Sequence, residues 1–303
     1  MHWGRTLLHR GWGLICIIAY LICYTTGIFN YGGDPMKIQL KNEMETLIIP
    51  LYGKAKMSQI GIFKDPYAEA MIEKIDYDYA KLKIQEKTQV MLAVRAVILD
   101  DFAKEFITKH LNCMVLHLGC GLDARFMRLG LQVGMWYDLD FPEVIDIKNQ
   151  LFSETEYYKY IASSVTDLGW INSIPVNEND VLVIAEGLFM YLSENEIKVL
   201  FIALKSKFMS LTVVFDAYSK LTARSAKNHP SLKKTGATIK WGVDEPQEIE
   251  GYTEGLKYLK TIYLTDKNII KILPKSYRTM FRLASLFKSA REAHRVFVMK
   301  IEN

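Results

Sequence analysis

Two glycines one residue apart, Gly119 and Gly121, follow the apolar run Val115-Leu116-His117-Leu118. A glycine pair at the end of a buried strand lets the backbone turn tightly and approach a ligand with no Cβ in the way. The third glycine of a dinucleotide fingerprint is absent, because Leu122-Asp123-Ala124-Arg125 follows, which argues against a pyrophosphate ligand. About twenty residues on, Trp136-Tyr137-Asp138-Leu139-Asp140-Phe141-Pro142 places two carboxylates at the tip of a second strand. A carboxylate there can accept two hydrogen bonds from a ribose diol. The lesser alternative for Asp140, just ahead of Pro142, is to serve only as the cap of the helix that the proline opens.

A third strand end carries Ile184-Ala185-Glu186-Gly187-Leu188-Phe189-Met190-Tyr191. Glu186 directly after an apolar run is costly to bury unpaired, so it must meet a cation or a ligand or reach solvent, and a ligand is the favoured partner. Glu186 and Tyr191 are therefore the candidates for orienting a cofactor or an acceptor. The histidines form no constellation: His117 sits on a buried strand, and His110, His229 and His294 have no evident acidic partner at short range, so structural roles are expected. Cys16, Cys23, Cys113 and Cys120 show neither a CxxC pair nor zinc spacing, and no metal site is expected.

The elements that must position these residues follow from periodicity. From Cys113 onward, strands expected over 114–118, 134–139, 159–162, 181–185 and 211–215 alternate with helices over 124–129, 142–152 and 194–207, the pattern of a parallel sheet buried on both faces. Upstream, Asp65-Pro66 opens a helix over 66–75. A longer helix over 87–109 places Val90, Ala93, Val94, Val97, Ile98, Asp101 and Phe102 on one stripe, with Arg95 off it. Strands at 258–264 and 294–300, with a helical stretch 269–287 between them, should close the sheet edge as a pair. The polar segment 220–246 reads as an inserted loop or lid over the site.

Composition sets the frame: 303 residues, 50% hydrophobic and 24% charged, suit one α/β domain with decorations. The net charge of +4 is small and Lys and Arg are scattered among acids, so no footprint for nucleic acid is read, and a small-molecule partner in a reducing, cytoplasmic setting is expected. Residues 11–33 carry no charged side chain, but their continuously apolar part, 14–23, is short of the ~20 residues a membrane span needs. Two readings of 1–35 are open: a weak membrane segment, or upstream sequence translated ahead of a true start at Met36. The catalytic domain is taken as 36–303, with its helical part at 36–112 and the lid at about 220–250.

The runs Leu116-His117-Leu118-Gly119-Cys120-Gly121-Leu122-Asp123-Ala124-Arg125-Phe126, Tyr137-Asp138-Leu139-Asp140-Phe141-Pro142-Glu143-Val144 and Ala185-Glu186-Gly187-Leu188-Phe189-Met190-Tyr191-Leu192, taken in order, resemble the leucine carboxyl methyltransferase superfamily, and its polyketide-type O-methyltransferase branch most. The resemblance runs from about Met36 to the C-terminus. It implies a class I methyltransferase (Rossmann-like) α/β fold: a seven-stranded, mostly parallel sheet with an antiparallel last strand, N-terminal helices and an inserted lid. It also implies S-adenosyl-L-methionine as cofactor and methyl transfer to a carboxylate or phenolic oxygen of a small-molecule acceptor.

By the same resemblance, Gly119 and Gly121 lie along the methionine part of the cofactor, Asp140 holds the ribose, and Ser164 with Val165 sits beside the adenine. Lys54 and Arg95 hold the cofactor carboxylate, a role that suits bidentate arginine chemistry; simple solvation stays open for Lys54, since lysines are mostly exposed. Trp241-Gly242 is expected on the acceptor side. Cys120 stands where many members carry alanine, and Leu188-Phe189-Met190 departs from the phosphatase-directed branch, which puts protein carboxyl methylation in doubt. Two alternatives stand beside this reading: a nicotinamide-dependent oxidoreductase, since Gly119, Gly121 and Asp140 also suit NAD, and a non-catalytic cofactor-binding module.

Overall fold

The apolar runs of the central strands are buried along their whole length, as a sheet covered on both faces requires. The computed structural model describes residues 45–175, 180–226 and 238–302. Its strands are β1 (Met114–Leu118), β2 (Met135–Asp140), β3 (Tyr158–Ala162), β4 (Val181–Ala185), β5 (Ser210–Tyr218), β6 (Leu256–Tyr263) and β7 (His294–Glu302), in the order β3-β2-β1-β4-β5-β7-β6. Strands β1 to β5 are parallel. β7 runs antiparallel between β5 and β6, closing the edge with the expected strand pair. This insertion departs from the 3-2-1-4-5-6 order of dinucleotide-binding sheets. The order reverses between β1 and β4, and the crevice outside the carboxyl ends of those strands is where such sheets bind ligands.

Three helices precede the sheet: α1 (Glu45–Gln59), α2 (Pro66–Lys74) and α3 (Glu86–Lys109). The crossovers carry α4 (Arg125–Leu129), α5 (Pro142–Leu151), α6 (Gly169–Ser173) and α7 (Glu194–Lys207); α8 (Lys220–Ala226) and α9 (Gln247–Glu250) follow β5, and α10 (Lys275–Ser285) and α11 (Lys288–Arg291) lie between β6 and β7. Local chemistry accounts for the boundaries. Ala68 N donates to Asp65 Oδ1 at 2.9 Å, capping α2 ahead of its first-turn proline, and Ser193 with Glu196 forms a reciprocal capping box on α7.

Several expectations are corrected. Helix α1 was not foreseen, because Pro50 lies inside it and proline ordinarily ends a helix. In α3 the buried acid is Asp100; Asp101 is exposed. Arg95 also faces inward, because α3 packs against both α1 and the sheet and buries more than one stripe. Pro274 divides the stretch 269–287 into a short 3₁₀ turn (Ile269–Ile272) and α10. Residues 1–44, including the apolar segment, lie outside the described residues, as does His229; among the described residues no helix is long and apolar enough to cross a membrane.

The segment 220–246 is not an open polar flap where it is described. It begins with α8 and returns through Ile239, Trp241 and Val243, all buried. Trp241 packs against Phe215 (ring centroids 6.3 Å apart) and donates from Nε1 to Tyr252 Oη at 3.1 Å, so it points into the core and not onto the acceptor side. Trp241→Phe is accordingly expected to cost about 1–2 kcal/mol through the lost hydrogen bond and a small void. Chemical denaturation should show this loss while the affinity for ligands in the crevice stays unchanged.

Candidate active site

A cavity of about 1470 Å³ opens at the carboxyl ends of β1, β2, β4 and β5. Its floor is the glycine loop, where Gly119 and Gly121 hold φ of +60° and +53°, a left-handed conformation that side chains with a Cβ rarely adopt. Asp140 pins that loop: its Oδ2 accepts from Gly121 N at 2.7 Å and its Oδ1 from Phe141 N at 2.8 Å. It makes no side-chain cap to α5. Burial raises the pKa of Asp140, and the two N–H donors only partly offset it. The other carboxylate of this strand, Asp138, faces away. It accepts from His117 Nδ1, Trp136 Nε1 and Tyr158 Oη and pairs with Lys148, all within the core.

Glu186 meets cations. Lys54 Nζ lies 3.3 Å and Arg95 Nη2 3.1 Å from its Oε1, and Arg125 Nη2 donates to its Oε2. The pairing continues: Lys54 reaches Asp123 at 2.8 Å, Arg125 reaches Asp100 at 2.8 Å, and Arg128 bridges Asp65, Asp100 and Asp123. This buried network fastens α1, the cap of α2, α3 and α4 to the loop after Gly121. Lys54 is therefore buried and not a solvated surface lysine. Sequence reasoning missed the site roles of five charged residues: Asp123, Arg125 and Arg128 stand just after the glycine loop, Asp100 lies in the long helix beside its apolar stripe, and Asp65 was read only as a helix cap. His117 accepts from Arg125 Nη1 at Nε2, so its Nδ1 carries the proton given to Asp138. Burial lowers its pKa and keeps it neutral.

Burial pushes the carboxyls of Glu186, Asp100, Asp123 and Asp216 upward, but the adjacent Lys and Arg side chains outweigh it and hold all four below the usual range. Groups whose pKa falls on folding stabilise the fold above their unfolded values and lose that contribution as pH falls through the folded ones. Asp65 and Asp140, raised by burial, act in the opposite sense, and they are outnumbered. Thermal stability is expected to be flat from about pH 8 to 5 and to fall below about pH 4. Melting temperatures that hold constant to pH 3 would contradict the network's role.

One end of the cavity is lined by Tyr191, Tyr218, Ile239 and His294. Tyr191 sits on a 3₁₀ turn (Phe189–Tyr191), and burial raises its phenol, as it raises that of Tyr218 to about 12. His294 donates from Nε2 to Asp216 Oδ2 at 2.6 Å, since a carboxylate only accepts. Its Nδ1 is left as a lone pair, buried and with no hydrogen-bond partner among the described residues. His294 and also His110, which meets Asp180 at 2.8 Å, thus have the acidic partners that sequence proximity did not show; the partners are 78 and 70 residues away.

The donors present fit S-adenosylmethionine. Arg95 uses three of its five N–H groups on Glu186 and Asp216, and Lys54 one of its three on Asp123, and both side chains line the cavity, so each keeps N–H groups beyond those bonds. Gly187, at φ +66°, leaves space that a Cβ would take from Arg95 Nη1 at 3.2 Å. The volume exceeds the roughly 300–1,000 Å³ of a single small-ligand site, room for a cofactor beside an acceptor. Ser164 and Val165 do not line the cavity: Ser164 Oγ bonds Thr166 Oγ1 at 2.8 Å and Val165 is buried in the core. Phe141, Val144 and Ile147 supply the apolar wall on that side.

The profile of the family described as Leucine carboxyl methyltransferase matches residues 51–205, about half the chain. The tetracenomycin polyketide synthesis O-methyltransferase of Streptomyces glaucescens is 34% identical over 224 residues, 73% of this chain and 83% of that protein. An S-adenosyl-L-methionine-dependent methyltransferase of Gibberella zeae is 26% identical over 255 residues, 76% of this chain and 85% of that protein. The solved structure of a DUF574 family protein from Streptomyces avermitilis superposes with a TM-score of 0.53 at 10% identity, covering 83% of this chain and 97% of that one; it shows the shared fold alone. These likenesses set aside both the nicotinamide oxidoreductase and the non-catalytic module. The chain belongs to the leucine carboxyl methyltransferase family and is an S-adenosylmethionine-dependent methyltransferase.

Proposed function

We propose that the enzyme methylates an oxygen of a small molecule, with a phenol-type hydroxyl favoured over a carboxylate. The observation that carries this reading is His294, a cavity-lining residue held by Asp216 through Nε2, whose buried Nδ1 has no hydrogen-bond partner among the described residues. A carboxylate acceptor is already ionised at neutral pH and needs no base, whereas a phenol with a pKa near ~10 does. The 34%-identical relative, named for O-methylation in polyketide synthesis, supports the same acceptor atom.

Bound S-adenosylmethionine supplies a methyl group on a sulfonium, open to in-line displacement. The protein's part is alignment and proton removal. Lys54 and Arg95 hold the cofactor carboxylate with their remaining donors, the backbone at Gly119 and Gly121 borders the methionine part, and Asp140 takes the ribose hydroxyls. Phe141 offers the adenine an apolar face in place of Ser164 and Val165, which lie outside the cavity. Glu186 is a positioning residue that fixes Lys54 and Arg95, and Tyr191 orients the acceptor.

Carboxyl methylation of a polypeptide is the second reading, favoured by the match to the family described as Leucine carboxyl methyltransferase. Incubation with methyl-labelled cofactor and a set of phenolic and carboxylic small molecules separates the two. Label recovered on a phenolic oxygen supports the first, and label recovered only as a base-labile polypeptide ester would sink it.

A further inference from the structure

The small net charge of the whole chain hides one strongly biased stretch. Between Asp266 and Glu292 there are seven basic residues, Lys267, Lys271, Lys275, Arg278, Arg282, Lys288 and Arg291, and no acidic one. Among the described residues only Lys288 and Arg291 of this set pair with a carboxylate, that of Glu292. The same stretch carries large apolar side chains in the open: Met280 is 44%, Leu283 57%, Leu286 74% and Phe287 66% exposed.

Helical spacing sorts these residues into three faces. Tyr277, Phe281 and Ala284 (i, i+4, i+7) are the inward ones, with Tyr277 packed on the main core and Phe281 buried. Met280 and Leu283 (i, i+3) form a second stripe, which Leu286 and Phe287 extend just past the end of α10, and Lys275 and Arg282 (i, i+7) a third; Arg278 between them is turned onto the carbonyls of Lys271 and Leu273. A helix with one side on the protein and its two outward sides apolar and basic has the composition that lies in a lipid headgroup layer.

We propose that α10 and α11 dock the enzyme peripherally on a bilayer containing anionic lipid, Leu286 and Phe287 entering the acyl boundary and the cations meeting headgroup phosphates. Charge decides against other occupants. A second copy would bring two uncompensated sets of cations together, and the chain's own apolar segment 11–33 has no charge to neutralise them. The surface also adjoins the cavity. Tyr277 interacts with Glu86, and the flanking Gln85, Lys87 and Thr88 line the cavity, so docking holds that wall of the cavity near the lipid surface.

The test is co-sedimentation of the full chain with vesicles of neutral phosphatidylcholine alone and with about a third phosphatidylglycerol. The wild type is compared with Leu286→Ser/Phe287→Ser and with Lys275→Glu/Arg282→Glu. Binding confined to the anionic vesicles, weakened at least about ten-fold in each variant and by added salt, is the expected result. These side chains are exposed, so both variants should keep the wild-type circular dichroism and affinity for S-adenosylmethionine. Equal binding to neutral vesicles, or binding unchanged in both variants, overturns the proposal. So does loss only in the charge variant with equal capture by soluble RNA, which would assign the surface to nucleic acid.

Discussion

Arg95→Ala is expected to weaken S-adenosylmethionine binding by two orders of magnitude or more and to destabilise the fold by about 3–5 kcal/mol. Both effects have one origin. Arg95 is 6% exposed and is shared by Glu186 and Asp216, so its removal strips a cation from each while deleting the N–H groups of a cavity-lining side chain. Burial alone would lower the guanidinium pKa, yet Asp216 and Glu186 reverse that and raise it, so it is charged at every pH of interest. Arg95→Lys separates the two effects: the charge survives and most of the stability with it, but the planar fork is lost, and affinity should fall about 10–100-fold. Calorimetric titration beside thermal melts reads each quantity independently. Wild-type affinity in a folded Arg95→Ala protein would remove Arg95 from the cofactor site.

With a phenolic acceptor, His294→Gln should lower kcat by about 10²–10⁴-fold with little change in the KM for S-adenosylmethionine. Asp216 keeps Arg95 as a partner, and the glutamine amide can still donate to it, so the fold should hold. The diagnostic feature is pH: as the medium approaches the acceptor's own pKa near ~10, the phenol ionises unaided and the deficit should shrink. A carboxylate acceptor should show no deficit at any pH. A loss of equal size across the pH range and for both acceptor types would assign His294 a structural role only.

Much of the fold was legible because its signals are local. The bounds of β1, β4 and α7 emerge from apolar runs and helical patterning, and Gly119, Gly121 and Asp140 declare themselves at strand ends. What stayed hidden depends on tertiary proximity. Asp216 and His294 lie far apart in sequence and meet only because β7 is inserted antiparallel beside β5. The partners of Glu186 come from α1, α3 and α4, so its apolar surroundings showed that it needed a partner without showing that three cations would supply it. A helix buried on several sides defeats a single-stripe pattern, which is why Asp101 stood in for Asp100 and Arg95 was placed off the inward face. Trp241 was placed on the acceptor side by the family resemblance, while its indole fills the core. Whole-chain charge likewise averaged away the basic face of α10.

The most direct test of the account is the position of the transferred methyl. The enzyme, ¹³C-methyl-labelled S-adenosylmethionine and a phenolic small molecule are incubated together, and the product carbon is identified by nuclear magnetic resonance. The account predicts a single labelled O-methyl resonance on the small molecule, lost in Arg95→Ala and restored toward wild type in His294→Gln as pH rises. A label attached to nitrogen or carbon, or found only on protein carboxyl groups, would contradict it.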